Sequence, residues 1–201
     1  AYSPSRLENK ELNEKIIQKI IKPTLEGLKD LKTSYKGFLY AGLMIIDNEP
    51  FLIEYNVRMG DPECQTILPK IKSDFNEIVN SCVNEKLDKI NFDWFDDKSL
   101  CIVLCSKGYP NKFENNIEIE NIENAVLKSN QFIFHAGTLQ KNQKIYSNGG
   151  QVLNFVVKSN DFKNCRNQAM ALIKKINWQG GFFRKDIGYK AVSYTHLTLP
   201  T

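Results

Sequence analysis

The chain has 201 residues, of which 42% are hydrophobic and 25% are charged, and its formal net charge is +4. This composition excludes a disordered chain, because the apolar fraction is large enough to form a buried core. It also excludes a membrane span, since the longest apolar run, residues 38–46, is far shorter than the roughly 20 residues that a bilayer-spanning helix needs.

The charged and cysteine residues indicate a protein of a reducing compartment that binds neither nucleic acid nor membrane. Most lysines alternate with acidic residues, which is typical of a solvated surface and not of a nucleic-acid-binding patch. The odd number of cysteines, with no close pair at metal-ligand spacing, favours free thiols: Cys64, Cys82, Cys101, Cys105 and Cys165. No basic stretch followed by an apolar segment opens the chain, so we expect a cytoplasmic location.

The first helical pattern begins after Asn9, whose side chain can cap a helix N-terminus. Pro23 interrupts this pattern and predicts a kink or a restart of the helix. The predicted buried face consists of apolar residues that recur every three or four positions: Leu12, Ile16, Ile20, Leu28 and Leu31.

A β-hairpin and a second helix are predicted next. The runs Tyr35–Ile46 and Phe51–Asn56 are apolar and rich in strand-forming residues, and turn-forming residues fill Asp47–Pro50 between them. The spacing of apolar residues then predicts a helix over Ser73–Glu85. Its predicted buried face is formed by Phe75, Ile78, Val79, Cys82 and Val83.

The second half of the chain has a different sequence pattern, with short predicted strands and many turns. Asn91–Ser99 is a polar, acidic segment that predicts a domain boundary, and a third helix is predicted over Asp161–Lys175. Between them, turns rich in Gly and Pro separate the predicted strands Leu100–Cys105, Phe132–His135, Lys144–Tyr146 and Gln151–Val157. The predicted fold class is α+β, with one domain over residues 1–90 and a smaller, mostly β domain with a packed helix over residues 91–191.

Candidate chemistry concentrates in Ile53–Glu63, where the second strand of the hairpin ends. Alternation along a strand places Glu54 and Asn56 on one face, and the same parity extends to Arg58. Carboxylate and amide oxygens suit Mg²⁺, which takes one or two protein ligands and completes its shell with phosphate oxygens and water. An arginine beside them could hold a phosphate. On spacing alone, an edge strand with a merely polar outer face explains the pattern equally well.

The whole string around this strand resembles the phosphoribosylamine–glycine ligase family, a group of ATP-grasp enzymes of purine biosynthesis. The resemblance rests on Tyr35–Ile45, on Ile53–Asn56 and above all on Arg58–Gln65, which contains the specific pattern Arg-x-Gly-Asp-Pro-Glu. Met59 stands where the family usually has phenylalanine. The likeness continues to Ala191 through the motifs at residues 67–69, 108–110, 134–138, 149–153 and 186–188.

The resemblance implies the last part of an ATP-grasp domain followed by the family's small C-terminal domain. The implied reaction joins glycine to 5-phosphoribosylamine and cleaves ATP to ADP and phosphate, by way of a glycyl phosphate. Glu54 and Asn56 match the family's Mg²⁺ or Mn²⁺ ligands, and Arg58 matches an arginine at the mouth of the active site. The family resemblance suggests a monomer.

The predicted roles of four further residues are less specific. By the same resemblance, Asp61 and Glu63 are expected to bind the amine or glycine. Met44 has the strand parity to contact adenine, and the alternative is a plain core methionine. His135 either faces the site from the second domain or is a structural histidine whose hydrogen bonds are satisfied.

Family members are longer than this chain and carry a glycine-rich, lysine-bearing ATP-binding subdomain, whereas no glycine-rich loop stands before Tyr35. We therefore expect a fragment that is inactive alone. Residues 192–201 have no counterpart in the family pattern and are expected to be foreign sequence, so His196 is not counted as a ligand.

Two other functions stay open at this point. A biotin carboxylase relative, also an ATP-grasp enzyme, would carry the Glu-x-Asn-x-Arg strand, but it would not continue as Gly-Asp-Pro-Glu. A non-catalytic nucleotide- or RNA-binding module would need a basic face lined with aromatic side chains, and no such cluster stands out in the sequence.

Overall fold

The computed structural model describes residues 1–193 and has an α+β fold with two compact units. The hairpin unit comprises Pro4–Asp61 and Ile71–Trp94. The sheet unit comprises Ala1–Ser3, Pro62–Lys70 and the chain from Phe95 onward. Within residues 1–193, no helix combines the length and the apolar character required to cross a membrane.

The elements alternate irregularly along the chain. The helices are α1 (Lys10–Ile16), α2 (Lys22–Asp30), α3 (Glu63–Ile67), α4 (Phe75–Val83), α5 (Phe162–Ile173) and α6 (Tyr189–Ser193). The strands are β1 (Tyr2–Ser3), β2 (Tyr40–Ile46), β3 (Glu49–Asn56), β4 (Lys98–Ser106), β5 (Glu118–Ile119), β6 (Gln131–His135), β7 (Thr138–Lys141), β8 (Lys144–Ser147), β9 (Gln151–Ser159) and β10 (Gly181–Phe182).

The first helical segment of the hairpin unit is capped as the sequence predicts. The Asn9 side chain accepts a hydrogen bond from the backbone N–H of Leu12 at 2.9 Å, which satisfies one of the free donors at the helix start. Pro23 lies in the first turn of α2, directly after a π-helical turn over Ile17–Ile21. The wider turn accommodates the proline ring without breaking the helix, so the predicted restart takes the form of a change in hydrogen-bond spacing.

The predicted hairpin is present, but its first strand is shorter than expected, and its second strand begins at Glu49, inside the predicted turn Asp47–Pro50. β2 begins at Tyr40 and not at Tyr35, and β3 pairs with it in antiparallel fashion. Asp47 and Asn48 form a two-residue turn with φ values of 49° and 60°, the left-handed conformations that a type I′ turn requires. The register shifts between Gly42 and Leu43, which marks a β-bulge.

The predicted buried face of α4 is wrong for most of its residues. Asp74 caps the helix by accepting from the N–H of Asn76 at 2.7 Å, and Ile78 is buried. However, Phe75, Val79 and Val83 are 39%, 38% and 61% exposed. An amphipathic pattern predicts which side of a helix is apolar, but it does not guarantee that the same chain covers that side.

The sheet unit is built on a five-stranded sheet in the order β1-β4-β9-β6, with β10 also paired to β4. The four strands predicted for this half and the helix α5 are all present. Asp161 caps α5 by accepting from the N–H of Asn164 at 2.7 Å, and the helix packs on β4 and β9. The core between them includes Leu100, Ile102, Leu153, Phe155, Cys165, Ala169 and Leu172.

Several elements of the sheet unit are absent from the sequence prediction. A small second sheet has the order β5-β8-β7, and the short helix α3 packs on β1, β4 and β9. The helix α6 extends to Ser193, so the first residues of the predicted foreign tail are helical. Residues 194–201, including His196, lie outside the described part of the chain.

Candidate active site

The end of β3 brings two oxygen-bearing side chains together. The Nδ2 atom of Asn56 donates a hydrogen bond to Oε1 of Glu54 at 3.1 Å. Glu54 is exposed and Asn56 is half-buried. The two side chains therefore share one face of the hairpin, as alternation along the strand predicts.

Tyr55, between them, holds the opposite face of the hairpin against the helices. Its hydroxyl lies 2.6 Å from Oγ1 of Thr24 and donates to the carbonyl of Ile20 at 3.2 Å. Thr24 Oγ1 also donates to the Ile20 carbonyl, at 2.8 Å. The helical layer thus fixes the back of β3 and leaves Glu54 and Asn56 on the open side.

Strand parity does not reach Arg58, so its place on the same face as Glu54 and Asn56 stays a prediction. β3 ends at Asn56, and beyond that point the backbone no longer alternates. Arg58 is exposed, and its Nη1 donates to the carbonyl of the adjacent Met59 at 2.9 Å. Its role at the mouth of an active site stays a prediction.

Met44 is not a core methionine. Its side chain is 52% exposed, and Phe51, which pairs with it across the hairpin, is 54% exposed. Because paired residues share a face and alternate residues do too, these side chains continue the open face that carries Glu54. The open face is therefore polar at one end and apolar along the rest, and a contact of Met44 with adenine stays a prediction.

The Arg-x-Gly-Asp-Pro-Glu segment, residues 58–63, begins in the hairpin unit and ends in the sheet unit. Asp61 is exposed and is the last residue of this stretch in the hairpin unit. Glu63 is half-buried and begins α3 in the sheet unit. Their expected roles in binding glycine or the amine stay predictions.

His135 ends β6 in the sheet unit and is exposed. Its Nδ1 lies 2.9 Å from Oγ1 of Thr138. A position facing the active site and a structural role with satisfied hydrogen bonds both stay predictions for His135. Thr138 holds one ring nitrogen and fixes the orientation of the ring.

The donor set at the hairpin suits one kind of metal. Within residues 1–193, no group of three or more His, Cys, Asp or Glu side chains could hold a metal ion. A closed zinc site of the kind that needs four such ligands is therefore absent from this part of the chain. A carboxylate and an amide oxygen fit Mg²⁺, which binds through one or two protein ligands plus substrate phosphates and water.

The sequence does not predict that Gly42 belongs to the site region. Counting back from the Asp47–Asn48 turn would pair Gly42 with Ile53, but the bulge shifts the register so that Gly42 lies opposite Glu54. Gly42 inside a strand is compatible with a bulge, but it does not identify the residue that lies opposite, and the cross-strand neighbour of Glu54 emerges only from the structure.

Both halves of the chain match one known family. Residues 1–64 match the ATP-grasp (A) domain of phosphoribosylglycinamide synthetase. Residues 99–190 match the C domain of the same family. The first range ends before the polar segment Asn91–Ser99, and the second range begins at its last residue.

Similar proteins agree with these matches. The phosphoribosylamine–glycine ligase of Fusobacterium nucleatum is 40% identical over 195 residues, which are 96% of this chain and 46% of that protein. The crystal structure of the phosphoribosylamine–glycine ligase of Thermotoga maritima has a TM-score of 0.73 and 30% identity, over 92% of this chain and 45% of that one. This chain thus spans less than half the length of the relatives it matches.

A more distant likeness concerns the fold alone. The biotin carboxylase domain of a thermophilic 2-oxoglutarate carboxylase has a TM-score of 0.60 at 14% identity, over 92% of this chain and 43% of that one. At this identity the likeness shows a shared architecture, and a shared architecture does not imply a shared reaction.

Proposed function

We propose, on the premise that this chain belongs to the phosphoribosylglycinamide synthetase family, that the protein containing it joins glycine to 5-phosphoribosylamine. ATP is cleaved to ADP and phosphate in the same reaction. The observation that carries the proposal is the pairing of Glu54 with Asn56 on the open face of the hairpin, inside the range that matches the family's ATP-grasp domain.

The chemistry requires glycine to be activated before the amine can attack. A carboxylate oxygen of glycine attacks the γ-phosphorus of ATP, the bond to the ADP oxygen breaks, and a glycyl phosphate forms. The amine of phosphoribosylamine then attacks the carbonyl carbon, phosphate leaves with the bridging oxygen, and the amine proton passes to solvent. No side chain has to become a covalent nucleophile, because both steps depend on positioning and on charge stabilisation.

The hairpin supplies the residues for the phosphate end of ATP. Glu54 and Asn56 would hold Mg²⁺ or Mn²⁺, which when bound neutralises charge on the phosphate oxygens. Arg58 supports the same end because its guanidinium is exposed and can pair with a phosphate in a bidentate manner. The exposed thioether of Met44 offers an apolar surface for adenine farther along the open face. Asp61 and Glu63 provide carboxylates for an amine.

We also propose that the protein is a cytoplasmic monomer that binds only small-molecule substrates, namely ATP, glycine and 5-phosphoribosylamine. None of the five cysteines, all of which lie in the described residues, forms a disulfide, which supports a reducing compartment.

The test is ADP release by the purified longer protein that contains this chain. We expect the release to require glycine, phosphoribosylamine and a divalent cation together. Glu54→Gln and Asn56→Ala should each lower kcat/KM by about 10²-fold, the usual effect of removing one charge-stabilising group. Glu49→Gln is the matched control, because Glu49 lies on the same strand but pairs with Lys15 and Lys19, and its activity should be unchanged.

Two results would overturn the proposal. ADP release that needs bicarbonate in place of glycine would favour the carboxylase alternative. Full activity of Glu54→Gln would remove the hairpin from the phosphate site, whatever the substrates are.

A further inference from the structure

We propose that Gly42 is a positioning residue of the metal site, because its missing side chain provides the space in which Glu54 lies. This inference rests on the proposed function, since it assigns a second residue to the same site. Gly42 contributes no ligand atom, and its role follows from its contacts with Glu54 across the hairpin.

The two residues face each other across the paired strands. Gly42 and Glu54 are Cα partners, and Tyr40 and Asn56 form the next pair on the same face. A Cβ atom added to Gly42 would lie 3.2 Å from Cγ of Glu54 and 3.6 Å from its carbonyl oxygen. Carbon atoms in favourable contact lie about 3.5–4.0 Å apart, so the stem of Glu54 occupies the place of the missing side chain.

Backbone conformation does not explain the glycine at this position. The glycines with positive φ are Gly37, Gly108 and Gly188, and Gly42 is not one of them. An alanine could therefore adopt the Gly42 backbone, and the constraint at this position is the space above it. A glycine inside a strand often marks a bulge or the close approach of another group. Gly42 lies next to the bulge and is closely approached by the Glu54 side chain.

The bulge decides which side chain uses this space. Without the register shift after Gly42, the turn would place Ile53 opposite the glycine, and Glu54 would point to the other face. With the shift, Glu54 lies across Gly42. The Tyr40 ring bounds the space at 3.9 Å from the added Cβ atom.

A methyl group at residue 42 should therefore displace the Glu54 carboxylate. The stem must move by a few tenths of an ångström or turn to another rotamer. Either change alters the distance between the Glu54 carboxylate and the Asn56 amide, now 3.1 Å. Because Mg²⁺ requires near-octahedral geometry, a site with two protein ligands is sensitive to the placement of each.

The experiment compares Mn²⁺ binding in the presence of ATP by the ¹⁵N-labelled longer protein that contains this chain, as the parent, and by two glycine variants of it. Mn²⁺ broadens NMR signals close to it, so the readout is the Mn²⁺ concentration that half-broadens the amide signals of Glu54 and Asn56. We expect Gly42→Ala to raise this concentration by about tenfold, a usual effect of losing support for a metal ligand. Gly27→Ala is the matched control, because nothing lies within 4 Å of a Cβ atom added there, and it should titrate like the parent.

The possible outcomes separate the two proposals. If the parent shows no broadening at Glu54 and Asn56, the proposed metal site fails and this inference fails with it. If the parent and Gly42→Ala titrate alike, the metal site stands and the role of Gly42 is wrong. A nuclear Overhauser effect between Glu54 Hγ and Gly42 Hα in the parent tests the geometry without any variant, and its absence would contradict the proposal.

Discussion

The hydrogen bonds of the Tyr55 hydroxyl to the helices predict how much stability the hairpin loses in Tyr55→Phe. The substitution removes the hydroxyl that lies 2.6 Å from Thr24 Oγ1 and donates to the Ile20 carbonyl. Thr24 still donates to that carbonyl at 2.8 Å, so no backbone acceptor is left unpaired. The loss should therefore equal the net value of an ordinary hydrogen bond, about 0.5–1.5 kcal/mol.

Amide hydrogen exchange measures this loss where it occurs. If the hairpin opens as one unit, its protected amides should exchange about 2- to 13-fold faster, which is the same free energy expressed as an opening equilibrium. The amides of β4 and β9 serve as an internal reference, because they belong to the sheet unit and should not change.

Tyr35→Phe is the matched control for this prediction. Its hydroxyl donates to the carbonyl of Phe38 at 2.7 Å, a local bond outside the hairpin ladder, so the exchange of β2 and β3 should stay the same. Unchanged exchange in Tyr55→Phe would show that the hydroxyl does not hold the strand. An equal increase throughout the chain would show that the hairpin has no stability of its own.

Three other predictions concern the rest of the chain. Phe155 is 0% exposed at the centre of the sheet unit, so Phe155→Ala should cost about 3–5 kcal/mol in urea unfolding. In a Trp94→Phe background the unfolding is followed by Trp178 fluorescence, and a loss below that of Phe134→Ala, at an exposed position, would contradict the described core. Burial raises the pKa of Cys165 to about 12, so this thiol stays neutral in the fold, and its contribution to stability is complete below about pH 8.5 and disappears as the pH rises through 12. A Cys165→Ala variant should lack that part of the alkaline loss, and an identical pH profile would refute the assignment. The 201-residue chain alone should release no ADP with glycine and phosphoribosylamine, since it spans less than half of its relatives, and measurable release would contradict this.

The part of the site that the sequence could predict depends on local rules. Alternation along a strand places Glu54 beside Asn56, and the Asp47–Asn48 pair fixes the turn. Asn9 and Asp161 could be recognised as helix caps because the capping bond needs only a side-chain oxygen and a nearby N–H. Each of these features involves residues that are close in the sequence.

The features that escaped prediction depend on contacts between distant residues or on where an element ends. Arg58 was placed by parity on a strand that stops at Asn56. The apolar side of α4 was expected in a core, yet no described residue covers it fully. Gly42 in the strand is compatible with a bulge, but the register shift that sets it opposite Glu54 is fixed by pairing over the whole hairpin.

The most direct test of the proposed reaction follows the oxygen atoms of glycine. Glycine labelled with ¹⁸O in both carboxylate positions would be incubated with ATP, phosphoribosylamine and the longer protein that contains this chain. A glycyl phosphate route transfers one labelled oxygen to the inorganic phosphate and leaves the other in the amide product. Phosphate that carries no label, formed in the same amount as the product, would contradict the activation of glycine by ATP.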